Sequence, residues 1–208
     1  MSRFEAILFD FDGVLADTEP VHHACWAAAL AEKGVSLSWS LYQEHCVGLS
    51  DRDLVAFVAA RAGRSAGLEE LWAQYPRKQN LFRRRVLAEP PISPDVVELL
   101  ASLDAYKLAV VSSSSRSEIE PVLGAAGILQ RFDTLVSAED VTAFKPAPEP
   151  YLVAARRLGV VCALVVEDSE AGLASGRAAG FEVLHIPEAR RMPELLRARL
   201  ELGSPSQR

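Results

Sequence analysis

Five short, nearly all-apolar runs set the architecture of this 208-residue chain. They fall at residues 6–9, 108–111, 134–136, 164–166 and 183–186. Uninterrupted apolar character, rather than alternation, is typical of parallel strands covered on both faces. Helical patterns lie between the later runs, at residues 96–103, 117–126, 150–158 and 171–179, and Gly127, Gly159 and Gly180 follow three of them where left-handed C-caps are expected. The repeated order predicts an α/β fold with a doubly wound parallel sheet.

Residues 10–107 separate the first apolar run from the second, which is far more chain than one crossover needs. This segment has helical periodicity at residues 21–33, 51–62, 68–75 and 79–87, and Gly34 and Gly63 end the first two helices. We therefore expect an α-helical domain, residues 18–89, inserted into an α/β core domain made of residues 1–17 and 90–208. A last helix pattern covers residues 193–202.

Composition narrows the partners that this fold is expected to have. The formal net charge is −6, and the densest basic stretch, residues 83–85, is the solvated face of a predicted helix. Nucleic acids and anionic membranes favour a basic surface, so we expect neither as a partner. Apolar runs stay well below the roughly 20 residues of a membrane span, and Glu5 stands where a signal peptide would turn apolar. Three cysteines without metal-ligand spacing indicate reduced thiols. We expect a cytoplasmic monomer.

Two aspartates follow the first apolar run, in the sequence DFDGVLADTE at residues 10–19. Residues i and i+2 of an extended chain share a side, so Asp10 and Asp12 face one site at the carboxyl end of a strand, where open α/β sheets bind ligands. Neighbouring carboxylates repel unless a cation neutralises them, and hard oxygen ligands suit Mg²⁺. A bare Asp-x-Asp is more often a solvated turn, but its place after a strand and before Gly13 favours a site.

Three more polar groups follow later strands. Ser112 and Ser113 precede a helix, whose N-terminal amides with the Ser112 hydroxyl form an anion cradle, although a serine run alone is more often a loop or an N-cap. Lys145 stands before Pro146 in a loop with a second proline, although a lysine alone is more often a solvated charge. Glu167 and Asp168 form an acidic pair at the end of a buried run, although Asp168 or Ser169 could simply cap the next helix.

These four segments, in this order, resemble the four motifs of the haloacid dehalogenase (HAD) superfamily. Within it, the chain is most similar to subfamily IA, in the group of β-phosphoglucomutase-like enzymes and sugar-phosphate phosphatases. The resemblance extends from Phe4 to about Pro187. It implies a HAD-like Rossmannoid core with an α-helical cap domain, a bound Mg²⁺, and a Mg²⁺-dependent phosphatase acting on a small phosphorylated metabolite, a sugar phosphate in the first place.

The resemblance also implies roles for single residues. Asp10 would attack phosphorus and form an aspartyl phosphate, while Asp12 would act first as general acid and then as general base. Phosphate would be held by Ser112, Ser113 and Lys145. Mg²⁺ would be held by Asp10, the backbone carbonyl of Asp12, Asp168, and Glu167 either directly or through water.

In the inserted domain, His22 and Trp26 lie four residues apart on one helix face. We expect Trp26 to be a core residue, whereas His22 and Lys78 match substrate-side residues of β-phosphoglucomutases. Where those mutases place an arginine for a second phosphate, this chain has Asp51, with Arg52 beside it. His22, Asp51, Arg52 and Lys78 are therefore candidate substrate residues of the cap domain.

Three other functions stay open at this point. The first is a β-phosphoglucomutase-type phosphosugar mutase, which the substitution at Asp51 disfavours. The second is the dehalogenase branch, which needs no metal and would not require the acidic pair at 167–168. The third is a non-catalytic binding protein, against which the retention of Asp10, Asp12, Ser112, Lys145 and Asp168 argues.

Overall fold

The structure, a computed structural model, describes residues 4–62 and 67–201. The chain divides into two compact units, Met1–Asp17 with Pro90–Arg208 and Thr18–Glu89. We refer to them as the core unit and the inserted unit. No helix in the described part of the chain is long and apolar enough to cross a membrane.

The core unit is built on one parallel sheet, which has five strands among the described residues. They are β1 (Ala6–Phe9), β2 (Lys107–Val111), β3 (Thr134–Val136), β4 (Ala163–Glu167) and β5 (Glu182–His185), in the order β3-β2-β1-β4-β5. In the register of the central strands, Leu8 pairs with Ala109 on one side and Val165 on the other. All five apolar runs thus form strands, and the predicted doubly wound parallel α/β fold is confirmed.

Ten α-helices occur in the described residues. They are α1 (Glu19–Ala31), α2 (Trp39–His45), α3 (Asp51–Ala62), α4 (Leu68–Trp72), α5 (Tyr75–Ala88), α6 (Pro94–Ala101), α7 (Arg116–Ala125), α8 (Glu149–Leu158), α9 (Glu170–Ala178) and α10 (Met192–Arg199). The predicted glycine caps after α7, α8 and α9 have positive φ angles of 70°, 67° and 83°. Gly34 is also left-handed, whereas Gly63 and the predicted end of the last helix at residue 202 lie outside the described residues.

Both faces of the sheet are buried along β1, β4 and most of β2, as their continuous apolar runs require, whereas the edge strand β5 is only partly buried. Leu8, Val111 and Val165 pack with Tyr151 and other residues of α8 in one cluster. The side chains that alternate with them point to the opposite face and are equally buried, for example Ile7, Phe9, Val110 and Leu164. Burial on both faces fixes the strands, and their carboxyl ends therefore form a rigid edge from which polar side chains can project.

The inserted unit has a hydrophobic core of its own. Trp26 and Leu30 of α1 pack with Tyr42 of α2, Val55 of α3 and Leu71 of α4. Trp26 is fully buried, which agrees with its prediction as a core residue. Helix α2 was not predicted; Ser38 initiates it by accepting a hydrogen bond from the backbone N–H of Leu41 at 3.2 Å.

Candidate active site

The loop after β1 places Asp10 at the carboxyl edge of the sheet. Its backbone N–H continues the strand pairing by donating to the carbonyl of Val166 at 2.9 Å, and its side chain is almost fully buried. Gly13 follows with φ +75°, and a Cβ at this position would lie 2.0 Å from Oδ2 of Asp168. Glycine is therefore required here both for its backbone angle and for the close approach of the Asp168 carboxylate.

The loop after β2 contains the serine run. The backbone N–H of Ser112 donates to the carbonyl of Val136 at 2.9 Å, and its buried Oγ accepts the N–H of Ser114 at 3.0 Å. Because Oγ already accepts there, its own hydrogen remains available as a donor. Ser113 is exposed, and α7 begins shortly afterwards at Arg116. The loop has the form of an anion cradle at a helix N-terminus.

Lys145 links three strand ends. Its Nζ donates to Oδ1 of Asp10 at 2.6 Å, to Oε1 of Glu167 at 2.5 Å and to the carbonyl of Val111 at 3.1 Å. The ammonium group also lies 5.2 Å from the ring centroid of Tyr151. The peptide bond from Lys145 to Pro146 is cis. Lys145 therefore sits where a cation would neutralise both Asp10 and an approaching phosphate.

Glu167, the last residue of β4, is completely buried, and both of its oxygens accept hydrogen bonds. Oε1 accepts from Lys145 and from the hydroxyl of Tyr151 at 2.9 Å. Oε2 accepts from the N–H of Asp168 at 3.0 Å and from the N–H and hydroxyl of Ser169, each at 3.1 Å. Glu167 thus holds Lys145 in place and anchors the first turn before α9.

Three carboxylates of this edge come close enough to share a metal ion. One oxygen each from Asp10, Glu167 and Asp168 lies within 4.8 Å of the other two. Hard carboxylate oxygens suit Mg²⁺, so this donor set fits the predicted cation. The carboxylate of Asp12 is outside this group of three and instead accepts a hydrogen bond from Oγ of Ser114 at 2.7 Å.

The electrostatics of the edge are those of several carboxylates around one ammonium group. Burial raises the pKa of Asp10 well above its usual range; Lys145 opposes this, while Glu167 and Asp168 add to it. Burial and then the charge of Glu167 raise the pKa of Asp168 to about 7. Burial works against the charge of Lys145, but Asp10 and Glu167 outweigh it and raise its pKa. The excess of negative charge is what a divalent cation would relieve.

The structure therefore brings Asp10, Asp12, Ser112, Lys145, Glu167 and Asp168 to one edge of the sheet. Sequence reasoning missed three residues that organise this edge. Ser114 binds Asp12, Tyr151 binds Glu167, and Gly172 makes room for Glu167, since a Cβ there would lie 1.8 Å from Oε1. Of the three, Ser114 stood in the motif that the sequence had already singled out.

Among the candidate residues of the inserted unit, Asp51 and Lys78 form an ion pair. Lys78 is completely buried and donates to Oδ2 of Asp51 at 2.8 Å, while Oδ1 accepts from the indole N–H of Trp26 at 2.6 Å. His22 stacks on Phe82, with ring centroids 4.4 Å apart, and the Lys78 ammonium lies 5.5 Å from the same ring. His22, Asp51 and Lys78 thus belong to one cluster.

Arg52 takes a different direction from Asp51. Its guanidinium pairs with Glu69 and lies 4.8 Å from the ring centroid of Trp72. The structure does not bring Arg52 into the cluster of Asp51 and Lys78. The hydrogen bond of Trp26 to Asp51 was likewise not expected for a residue predicted only as core.

Comparison with known proteins identifies the family of the chain. The haloacid dehalogenase-like hydrolase family matches residues 7–186. Validoxylamine A 7'-phosphate phosphatase of Streptomyces hygroscopicus subsp. limoneus is 32% identical, over 86% of this chain and 83% of its own. The fructose-1-phosphate phosphatase YqaB of Escherichia coli K12 is 28% identical, over 88% of this chain and 97% of its own.

A solved structure gives the same result for the fold. CbbY from Rhodobacter sphaeroides in complex with phosphate superimposes with a TM-score of 0.71 at 28% identity, over 86% of this chain and 84% of its own. The family match and the named phosphatases indicate a phosphoric monoester hydrolase. The chain belongs to the haloacid dehalogenase-like hydrolases, and the proteins it is similar to include a fructose-1-phosphate phosphatase and a β-phosphoglucomutase.

Proposed function

We propose that this enzyme is a Mg²⁺-dependent phosphatase that hydrolyses a small phosphorylated metabolite through an aspartyl phosphate on Asp10. Sugar phosphates are the leading candidates for the substrate. The observation that carries the proposal is the contact of Lys145 with Asp10 and Glu167, at 2.6 and 2.5 Å, beside Asp168. This arrangement supplies one carboxylate nucleophile, one phosphate-neutralising cation and a group of metal ligands at a single strand edge.

In the first step, an oxygen of Asp10 attacks phosphorus while Lys145 offsets the repulsion between two anions. Ser112 and the N-terminal amides before α7 hold the phosphoryl group in line, and we include the exposed Ser113 through its backbone N–H. Asp12 gives its proton to the leaving ester oxygen, so an alcohol departs as the phosphorus–oxygen bond breaks. The product of this step is a phosphate ester of the Asp10 carboxylate.

In the second step, Asp12 takes a proton from water, which attacks the same phosphorus. Inorganic phosphate leaves, and Asp10 regains its carboxylate. The ligands we propose for Mg²⁺ are the carboxylates of Asp10 and Asp168, the backbone carbonyl of Asp12, and Glu167 directly or through water. When bound there, the cation supplies charge neutralisation for the phosphoryl oxygens.

The substrate class is argued from the relatives and from Asp51. Two relatives are named for sugar or sugar-like phosphates, fructose 1-phosphate and validoxylamine A 7'-phosphate. Asp51 stands at the position where the mutases carry an arginine, and its carboxylate is paired with Lys78, so this position supplies no cation for a second phosphate. This favours a monophosphate phosphatase over a mutase. The proposal also includes roles in substrate selection for His22, Asp51, Arg52 and Lys78. It further includes a cytoplasmic location and a monomeric state.

The test is phosphate release from a panel of sugar phosphates, phosphoglycolate and nucleotides, with Mg²⁺ and with EDTA. Asp10→Asn is purified in parallel, together with Asp95→Asn as a control, because Asp95 is an exposed aspartate in the first turn of α6. We expect Mg²⁺-dependent release by the wild type and by Asp95→Asn, and loss of at least about 10³-fold in Asp10→Asn.

Release that persists in Asp10→Asn would contradict the covalent step, and release in EDTA would contradict the metal. If the wild type releases no phosphate from any ester, the same preparations are assayed as a mutase, by conversion of glucose 1-phosphate with a bisphosphate primer. Conversion that is lost in Asp10→Asn would replace the phosphatase proposal with the alternative.

A further inference from the structure

The hydroxyl of Ser114 connects two loops of the core unit that are far apart in sequence. Its Oγ donates to Oδ2 of Asp12 at 2.7 Å, which joins the loop after β2 to the loop after β1. A hydroxyl donor to a carboxylate at this distance is a charge-assisted hydrogen bond, which is stronger than one between neutral groups. The neighbouring hydroxyl of Ser115 instead contacts Ser117 and Glu118.

The backbone of Ser114 is fixed on both sides, so its hydroxyl approaches Asp12 from a rigid support. Its N–H donates to Oγ of Ser112 at 3.0 Å, and its carbonyl accepts the N–H of Ala138 at 3.1 Å. The side chain is half-buried. The same loop therefore contains Ser112, which we assign to phosphate binding, and Ser114, which donates a hydrogen bond to Asp12. Asp12 is the residue that we assign to proton transfer.

We propose that Ser114 is a positioning residue for Asp12, which it holds in register with the phosphate bound at Ser112. This rests on the proposed function. Proton exchange with the leaving group and with water takes place on the Asp12 carboxylate while its Oδ2 accepts from Ser114. Ser114 keeps its own proton throughout; in the first step a proton passes from Asp12 to the leaving oxygen, and in the second a proton passes from water to Asp12.

A positioning role makes a specific kinetic prediction, because a general acid matters most for a poor leaving group. A sugar alkoxide leaves only if it is protonated, whereas 4-nitrophenolate leaves readily without a proton. The ratio kcat/KM reports the steps up to the first departure, so it isolates the acid role of Asp12 from its later base role. Loss of Ser114 should therefore depress kcat/KM for alkyl esters more than for an aryl ester.

The experiment compares Ser114→Ala with the wild type on glucose 6-phosphate, fructose 1-phosphate and 4-nitrophenyl phosphate. We expect kcat/KM to fall about 10- to 100-fold for the alkyl ester that the wild type cleaves faster and by about threefold or less for the aryl ester.

Ser114→Thr, which keeps the hydroxyl, should recover most of the loss. Ser114→Cys keeps the shape but is a weak donor, so it should behave as Ser114→Ala and replaces it if the alanine variant does not fold. Ser117→Ala is the matched control, because Ser117 is an exposed serine at the start of α7.

The outcomes separate this inference from the proposed function. Equal losses on both ester types, or no loss, would overturn the positioning role while leaving a working phosphatase. A gain in kcat/KM would mean that Ser114 restrains Asp12 away from the leaving group, which also overturns it. Wild-type cleavage of the aryl ester alone would overturn the inference. Wild-type silence on these three esters and on the whole panel that tests the proposed function would overturn that function together with the inference.

Discussion

The carboxylate of Glu167 accepts hydrogen bonds from two sides at the carboxyl edge of the sheet. Oε1 accepts from Lys145 and from the hydroxyl of Tyr151, and Oε2 accepts three donors from Asp168 and Ser169. Although burial works against its charge, Lys145 and these donors lower the pKa of Glu167. Gly172 leaves the space that this carboxylate occupies. Glu167 is thus held ionised, and it fixes the ammonium group that contacts Asp10.

At this scale we predict that Tyr151→Phe reduces activity without abolishing it. Burial, followed by the nearby charge of Glu167, raises the pKa of Tyr151, so its hydroxyl stays protonated and donates to Glu167. Its removal takes one donor from a fully buried carboxylate and loosens the Lys145 contact with Asp10. We expect kcat/KM to fall roughly three- to thirtyfold and the free energy of unfolding by about 1–3 kcal/mol, measured by steady-state kinetics and urea denaturation.

Tyr106→Phe is the control for that variant, since Tyr106 precedes β2 outside the carboxylate cluster. Unchanged kinetics in both variants would show that Lys145 is positioned without Tyr151. A loss of stability in Tyr151→Phe with unchanged kcat/KM would restrict the residue to a structural role.

Between elements, Asp140 joins the end of β3 to helices α7 and α8. Its Oδ2 accepts from the N–H and hydroxyl of Ser137, at 2.9 and 2.8 Å, and from Arg116 at 2.9 Å, while Oδ1 accepts from Arg157 at 2.6 Å. Burial disfavours the charge of Asp140, but the bonds from Arg157 and Ser137 outweigh it and lower its pKa. This network supports the start of α7, which follows the serine loop.

The network predicts a pH-dependent contribution to stability. Because the pKa of Asp140 is lower in the folded than in the unfolded chain, the unfolded chain binds more protons in the intervening range. The stabilisation is therefore complete above the unfolded pKa, near pH 4, and is lost as the pH falls below it. We expect Asp140→Asn to cost roughly 1–3 kcal/mol at pH 7 and clearly less at pH 3, measured by urea denaturation of both proteins.

Asp104→Asn provides the comparison, because Asp104 pairs with Arg131 but its side chain is 78% exposed. Exposed pairs contribute little, so its effect should be small at both pH values. A cost of Asp140→Asn that does not change between pH 7 and pH 3 would contradict a lowered pKa of Asp140 in the folded protein.

Elements differ in how far they can be predicted from the sequence. The central strands β1, β2 and β4 were predictable because strands buried on both faces have continuous apolar sequences. The glycine caps were predictable because a positive φ favours glycine. Helix α2 has only 7 residues, so its apolar periodicity was too short to predict a helix. Helix α5 begins at Tyr75, four residues before the predicted start at residue 79, because Pro76 is tolerated in a first turn.

The same contrast holds for the site. Polar residues at the ends of parallel strands converge by topology, which is why Asp10, Ser112 and Asp168 could be named in advance. Lys145 lies in the loop between β3 and α8, and the family resemblance is what singled it out. The contact of Ser114 with Asp12 spans 102 positions, and that of Tyr151 with Glu167 depends on how α8 packs. Such contacts depend on packing geometry that periodicity and motif spacing do not encode.

Considered as a whole, the molecule places a buried ion pair in each of its two units. Lys145 is paired with Asp10 and Glu167 in the core unit, and Lys78 is paired with Asp51 in the inserted unit. A charge without a partner is costly in an interior, so the stability of each unit depends on the carboxylates that pair with its buried lysine. Since the inserted unit has its own hydrophobic core, the loss of the Asp51 charge should weaken that unit first.

We therefore predict that Asp51→Asn lowers the stability of the inserted unit selectively. The amide keeps the shape of the side chain but removes the charge that pairs with the fully buried Lys78. The free energy of unfolding of this unit should fall by roughly 2–4 kcal/mol, which is less than for a fully buried pair because Asp51 is 23% exposed. Hydrogen–deuterium exchange followed by mass spectrometry should show faster exchange in α1, α3 and α5, with β1, β2 and β4 unchanged. Adding Lys78→Met should restore much of the protection, since it removes the buried charge as well, and Asp53→Asn, at an exposed neighbour in α3, should have little effect. Equal acceleration in both units would show that they unfold together, and unchanged exchange would show that Asp51 is not what holds Lys78 in the interior.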